Sequence, residues 1–224
     1  MIRHVGLILD GNRRYAKKMN KPIYWGHKQG AEHFFKLGKH IFKSGVNELT
    51  AYVLSTENLK RSEEQVSDLL KLFDEYFDEF EKRDAQEKDE SIKAQIHFAG
   101  NRTLFTKKLQ NKMLHLEEKT ANNPKRLNLC FGYGGQDEIV RAVQKLQVTN
   151  TPITSDSLSQ ALDVTDSPNL IIRTGGKVRT SNFLIWQSVY SEWFFPTEFW
   201  PELTTEKIDS IFAEYSKIDQ NFGK

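Results

Sequence analysis

Apolar residues along the chain fall into two rhythms. Short β-rich runs occur at "HVGLILD" (4–10), "ELTAYVLS" (48–55), "IKAQIHFAG" (92–100), "RLNLCFGYG" (126–134), "NLIIRTGG" (169–176) and, more weakly, "EWFF" (192–195). Between them lie stretches with room for helices, as in "GAEHFFKLGKHIFKSG" (30–45), "NRTLFTKKLQNKMLHLEEK" (101–119) and "GQDEIVRAVQKLQ" (135–147). This alternation predicts an α/β fold with a mostly parallel sheet flanked by helices on both faces. The longest helix candidate runs from Ser62 to about Lys88, with Val66, Leu69, Leu70, Phe73, Tyr76, Phe77 and Phe80 at helical spacing and a charged opposite face. Ser62 and Gln65 have the pattern of a capping box at its start. A looser polar stretch, "EKRDAQEKDES" (81–91), follows; no stronger boundary is visible, so a single domain over residues 1–224 is expected.

Composition narrows the classes of function. The 224 residues are 38% hydrophobic, without repeats or low-complexity tracts, which suits one globular domain with a sizeable core. With 32 Lys+Arg against 30 Asp+Glu, the net charge of +2 is too small to indicate a nucleic-acid binder, so any basic function must be local. Cys130 is the sole cysteine, which rules out a disulfide framework or a cysteine metal site and suits a reducing compartment. No apolar run reaches the length of a membrane span and no leader pattern is visible, so a soluble, cytoplasmic protein is expected.

The chemistry is concentrated where strands end. In an open parallel sheet, ligands bind beyond the carboxyl ends of the strands. Three predicted strands end in "ILDGNRR", "VLSTENLKR" and "IIRTGGKVRTSN", which combine small or hydroxyl residues with Arg13, Arg14, Arg61, Arg173 and Arg179. Such loops approach phosphate closely and guanidinium groups grip it bidentately. Five arginines exceed the needs of one monophosphate and point to two polyanionic groups or one very large one. Asp10, alone among these bases, reads either as an ion-pair partner or Asx turn, or as an oxygen ligand for Mg²⁺, which takes one or two carboxylates plus substrate phosphate. No Walker A or G-x-G-x-x-G sequence competes for these residues.

The segments "LDGNRRYAKK", "GHKQG", "LSTENLKRS", "IIRTGGKVRTSNFLIWQ" and "YSEWFF…FWPEL" together resemble the cis-prenyltransferase family, in order, from Asp10 to Leu203. The resemblance implies a homodimer, a six-stranded sheet with an apolar tunnel, and Mg²⁺-dependent condensation of isopentenyl diphosphate with an allylic diphosphate. Position by position it makes Asp10 the Mg²⁺-associated aspartate, with Glu192 the second carboxylate of the metal environment. Gly11, Asn12, Arg13, Arg14 and Tyr15 would cradle the allylic diphosphate. His27, which read alone could equally be a cap or packing residue, would bind substrate near the diphosphates. Ser55, Thr56, Glu57, Asn58 and Arg61 match the S-[ST]-E-N-x-x-R segment, where an asparagine orients substrate or relays a proton, an amide being a poor base. Arg173, Arg179, Thr180 and Ser181 would hold isopentenyl diphosphate. The apolar face from Val66 to Phe80, ordinary core by periodicity alone, would become the tunnel wall, and the product is expected to partition to membrane.

Several residues depart from the family pattern: Ile23, Leu59, Gln65, Gly132, Gln136 and Lys177, the last reversing a charge beside the second diphosphate site. Irregular coupling of two allylic diphosphates is therefore one alternative, and a noncatalytic subunit of a heteromeric prenyltransferase another, although such a subunit could discard Asp10 and the first arginine pair. Tyr76 and Val53 are bulky for tunnel positions, so early termination and a short or medium product are expected.

Overall fold

A computed structural model describes residues 1–218. Six strands, β1 (His4–Ile8), β2 (Glu48–Ser55), β3 (Ala94–Ala99), β4 (Lys125–Tyr133), β5 (Leu170–Arg173) and β6 (Glu192–Phe194), form one sheet in the order β3-β4-β2-β1-β5-β6. Every neighbouring pair is parallel, so all six carboxyl ends lie along one edge. The helices are α1 (Asn12–Lys18), α2 (Ile23–Lys43), α3 (Glu63–Gln86), α4 (Lys107–Thr120), α5 (Gly135–Val148), α6 (Ser155–Ala161) and α7 (Thr205–Tyr215).

Burial of both sheet faces explains the apolar strand runs. Successive residues face opposite sides: Leu170 and Ile172 of β5 join one cluster, whereas Ile171 joins another with Phe183 and Leu184. The first cluster takes in Phe34, Leu37 and Ile41 of α2, Leu69 and Phe77 of α3, Met113 of α4 and Ile208 of α7. A third cluster joins α5 to α6 through Ala142, Leu146 and Leu158. No helix among the described residues is long and apolar enough to cross a membrane.

The elements differ locally from the sequence expectation. The basic stretch after Gly11 is itself helical, α2 starts at Ile23 rather than Gly30, and α6 and α7 had no counterpart in the periodicity. The "NRTLF" stretch is separated from α4, because Asn101 caps a short 3₁₀ turn at Arg102–Leu104 and Thr106 starts the helix afresh. Ser62 does occupy the N-cap of α3, but its side chain accepts no bond from the helix, so the expected capping box with Gln65 does not form. The polar stretch 81–91 continues α3 to Gln86, with Glu87 paired to Lys39 at 2.5 Å and Ile92 buried just beyond it.

The segment Phe199–Leu203 fastens α2 to the end of β1. Trp200 is fully buried; its indole donates to the Gly30 carbonyl at 2.8 Å and its backbone amide to the Asp10 carbonyl at 3.0 Å. Trp200→Ala should cost about 3–5 kcal/mol in urea unfolding. Trp200→Phe should cost less, since it removes the indole's bond to a Gly30 carbonyl that lies within α2 while filling most of the volume; a lost hydrogen bond of this kind is worth roughly 0.5–1.5 kcal/mol.

Candidate active site

The carboxyl ends of β1, β2 and β5 open onto one cavity of about 1540 Å³. After β1 the chain turns through Gly11 at φ 117°, where a Cβ would lie 2.8 Å from that of Phe199, so glycine alone lets Asp10 and α1 follow so closely. The Asp10 carboxylate is held on both sides: Arg14 donates to one oxygen at 3.2 Å and Arg173 to the other at 2.9 Å. Arg14 also donates to the Gly175 carbonyl at 2.8 Å and lies over the Phe199 ring. Arg173 is buried and donates to the Ser181 hydroxyl at 2.6 Å and the Arg179 carbonyl at 2.7 Å. Asp10, Arg14 and Arg173 thus form one bonded unit that joins β1, α1 and β5.

Three further guanidinium groups lining the cavity, those of Arg13, Arg61 and Arg179, make no ion pair among the described residues. Burial, and then the neighbouring Arg13 cation, lowers the pKa of Arg61, which marks positive charge crowded against positive charge. His27 shares this environment: burial foremost, with Arg61 and Arg13 adding to it, depresses its pKa to about 4. Asn58 sits in a reciprocal turn with Ser55: its amide oxygen accepts from the Ser55 backbone at 3.4 Å, and its own backbone amide donates to the Ser55 hydroxyl at 3.1 Å. Its side-chain NH₂ is left as the free group. Glu57 accepts from Asn182 at 3.1 Å; although burial alone would raise its pKa, its own backbone amide, Asn182, Ser55 and Thr56 together lower it.

From this polar mouth the cavity runs inward between α2, α3 and the sheet. Its apolar lining comprises Ala31, Phe34 and Phe35 of α2, Leu69, Leu72, Phe73, Tyr76, Phe77 and Phe80 of α3, Val53 of β2 and Leu129 of β4. Val66 and Leu70, expected on the same wall, are rotated away and line a separate cavity of about 490 Å³ against Leu109 of α4. At the mouth, α1 and α2 touch closely, since a side chain at Gly26 would run into the Asn12 carbonyl and one at Gly30 into the Asn12 side chain.

Asp10, Gly11, Asn12, Arg13, Arg14, His27, Ser55, Glu57, Asn58, Arg61, Arg173, Arg179 and Ser181 therefore converge on one cavity. Four sequence candidates lie off its surface. Tyr15 stacks on Trp25, Thr56 bonds through its backbone to Tyr133, and Thr180 accepts from the Phe183 amide. Glu192, the expected second metal carboxylate, pairs with Leu170 at the amino end of β5, whereas Asp10 follows Ile8, which pairs with Arg173 at the carboxyl end. Three residues of strand rise separate those levels by about 10 Å, so within one chain the two carboxylates do not meet. Sequence reasoning missed Lys17, Lys21, Tyr52 and Asn182 on the cavity surface. Asn182 directly follows Ser181, the last site residue named from its motif, and Lys17 stands in the last turn of α1 with Lys21 in the linker beyond it. Of the departures from the family pattern, only Ile23 lines this cavity; Lys177 is exposed outside it, and a side chain at Gly132 would meet the Phe105 ring at 2.8 Å.

Comparison with known proteins agrees with this arrangement. The family profile described as "Putative undecaprenyl diphosphate synthase" matches residues 8–223. The chain belongs to this prenyltransferase family. An isoprenyl transferase of Fusobacterium nucleatum is 37% identical, over 99% of this chain and 95% of its own length. A tritrans,polycis-undecaprenyl-diphosphate synthase (geranylgeranyl-diphosphate specific) of Pyrococcus horikoshii is 35% identical, over 99% and 87%. Among solved structures, lavandulyl diphosphate synthase of Lavandula x intermedia, in complex with dimethylallyl diphosphate, superimposes with a TM-score of 0.91 at 25% identity, over 100% of this chain and 98% of that one. Membership accounts for a site that is basic at one end and aromatic at the other, as a prenyltransferase needs.

A histidine whose pKa is depressed to about 4 is neutral above about pH 5 and changes charge only below that. The pH profile of kcat/KM, which reports the free protein, should therefore carry no His27 inflection between pH 5.5 and 8. His27→Gln should lower the profile without changing its shape in that window; a wild-type inflection near 6.5 that disappears in the variant would contradict a neutral His27.

Proposed function

We propose that this chain is an Mg²⁺-dependent cis-prenyltransferase that condenses isopentenyl diphosphate with an allylic diphosphate into a cis-polyprenyl diphosphate of short or medium length. The observation that carries the reading is the union, in one cavity, of the unpaired Arg13, Arg61 and Arg179 with an aromatic-lined tube. A diphosphate head on a hydrocarbon tail is the ligand whose two halves match these surroundings. Arg13, Arg61 and His27 then serve the allylic diphosphate, and Arg179, Ser181 and Arg173 that of isopentenyl diphosphate. The presence of Asp10 and the arginine pair Arg13–Arg14 supports a catalytic chain over a noncatalytic partner subunit. Exposed Val140 on α5, with Ile185 and Val189 on the segment packed against it, supports the homodimer.

Asp10 suits Mg²⁺. Each of its oxygens holds one guanidinium and keeps further acceptor capacity, and its side chain is 29% exposed toward the cavity. No group of three metal-ligating side chains occurs among the described residues, so Asp10 would hold the ion together with substrate oxygens, which suits Mg²⁺ rather than an all-protein cage. Bound there, Mg²⁺ stabilises negative charge on the departing diphosphate.

The protein's own groups do the rest. As the allylic C–O bond ionises, charge grows on the leaving diphosphate beside fixed guanidinium groups, which stabilise it without reorganisation. The apolar wall excludes water from the allylic cation until the isopentenyl double bond attacks it. The new bond leaves a cation that loses a proton. Asn58 has its oxygen committed to the Ser55 amide, so its part is to donate from its NH₂ and orient a diphosphate, and a phosphate oxygen takes the proton. One second reading is irregular coupling of two allylic diphosphates; the structural likeness to lavandulyl diphosphate synthase, solved with the allylic diphosphate dimethylallyl diphosphate bound, keeps it in view.

Mass spectrometry of products from dimethylallyl, geranyl, farnesyl or geranylgeranyl diphosphate, each with and without isopentenyl diphosphate, separates the readings. The proposal expects product only when isopentenyl diphosphate is present; product from an allylic diphosphate alone favours irregular coupling, and none in any mixture defeats both. Asp10→Ala should cut turnover by orders of magnitude at saturating Mg²⁺ with the circular dichroism spectrum unchanged. A lost charged contact is worth roughly 1.5–3 kcal/mol, or about 10- to 100-fold. Arg61→Ala should show that loss mainly in KM for the allylic substrate and Arg179→Ala mainly for isopentenyl diphosphate. Equal losses for both substrates in both variants would argue against two sites.

A further inference from the structure

The gap between α2 and α3 is closed by a group of side chains, two of which, Glu32 and Arg83, serve no step of the proposed reaction. On the cavity side, the Tyr76 ring stacks on Phe35 with centroids 6.0 Å apart, and Phe35 lies 4.4 Å from Phe80. All three rings line the cavity. On the outer side, the same residues are fastened by charge. The Tyr76 hydroxyl, carried through the wall, donates to one carboxylate oxygen of Glu32 at 2.8 Å. Arg83 donates to the other at 2.8 Å, and also to Glu79 at 2.6 Å. The Arg83 guanidinium caps the outer face of Phe35, 4.1 Å from its centroid.

These contacts make one unit from two helices. Glu32 is held from α3 by both Tyr76 and Arg83, and Arg83 in turn fixes the α2 ring against which Tyr76 stacks. Buried aromatic packing alone would let the rings exchange rotamers as a tail presses on them; two directional bonds to one carboxylate and a cation on the ring face remove that freedom. The hydroxyl matters separately from the ring, since the ring fills volume whereas the hydroxyl fixes where that volume is filled.

We propose that Glu32 and Arg83 are specificity-determining residues, which set the length of hydrocarbon tail the cavity accepts by locking Tyr76 and Phe35 across the α2–α3 gap. The inference rests on the prenyl-chain reading above. Neither residue lines the cavity, so neither would be found by searching its surface.

Radiolabelled isopentenyl diphosphate and farnesyl diphosphate, with chain products resolved by chromatography, provide the test. Tyr76→Phe keeps the ring and removes only the hydroxyl, whereas Arg83→Met removes the cation and keeps much of the stem. Each should move the product distribution upward by at least one isoprene unit relative to the unchanged protein, and Glu32→Gln should do so less, since its amide oxygen can still accept from Tyr76. Lys119→Met, which breaks the ion pair between Lys119 of α4 and Glu81 of α3, should leave the distribution where it was. Identical distributions in Tyr76→Phe, Arg83→Met and the unchanged protein would overturn the lock while leaving the prenyltransferase reading intact. An equal lengthening in Lys119→Met would also overturn it, by tracing the effect to loosening of α3 in general. Absence of product from the unchanged protein with every primer would remove the prenyl-chain reading and the lock together.

Discussion

Crowding of like charge is the constraint on which the rest of the structure depends. Two cations about 6 Å apart repel by a few kcal/mol at an effective dielectric near 20, and Arg13, Arg14, Arg61, Arg173 and Arg179 all reach the same cavity. The Asp10 carboxylate, bonded on one side to Arg14 and on the other to Arg173, neutralises part of that charge at the point where β1, α1 and β5 meet. It leaves the remainder unpaired. The fold therefore keeps an anion deficit at one end of the sheet, and a polyphosphorylated ligand is what makes it good.

The hydrocarbon half of the cavity imposes the opposite demand. A sealed, dry void of this size inside the main core would, at about 24 cal/mol per Å³, cost tens of kcal/mol, more than a domain's whole stability. Continuity of the apolar tube with the polar mouth avoids this, because solvent or a tail can fill it. The rings of Phe34 and Phe35 meet those of Tyr76 and Phe80 along one side, where α2 and α3 touch, while Phe73 and Phe77 lean on Phe131 of the sheet and Phe34 also on Trp200.

How much of this was legible in the sequence varied with the kind of signal. The strands were, since burial on both faces leaves runs such as that at Leu170–Ile172, and the ends of three of them marked the site. The beginning of α2 was hidden because Gly26 and Gly30 break the helical look of the segment, yet those glycines are present for contact with Asn12. Val66 and Leu70 share the apolar stripe of Leu69 and Phe73, and periodicity alone cannot divide one stripe between two cavities. Glu192 was placed by likeness, and strand register, which sets its level at the far end of the sheet, is invisible in a single chain's sequence. The Glu32–Tyr76–Arg83 contact joins residues about fifty positions apart, for which local spacing holds no information.

The close fit of Gly26 and Gly30 against Asn12 makes the phosphate grip and one wall of the hydrocarbon tube a single rigid body. Opposite it, α3 meets α2 through rings and an ion pair, contacts that tolerate exchange of one side chain for another of similar size. The two parts therefore differ in how freely they can evolve. Mutation can resize the chamber along α3, one residue at a time, without moving the atoms that grip the head group, so a lineage can alter what it makes while the chemistry by which it is made stays in place.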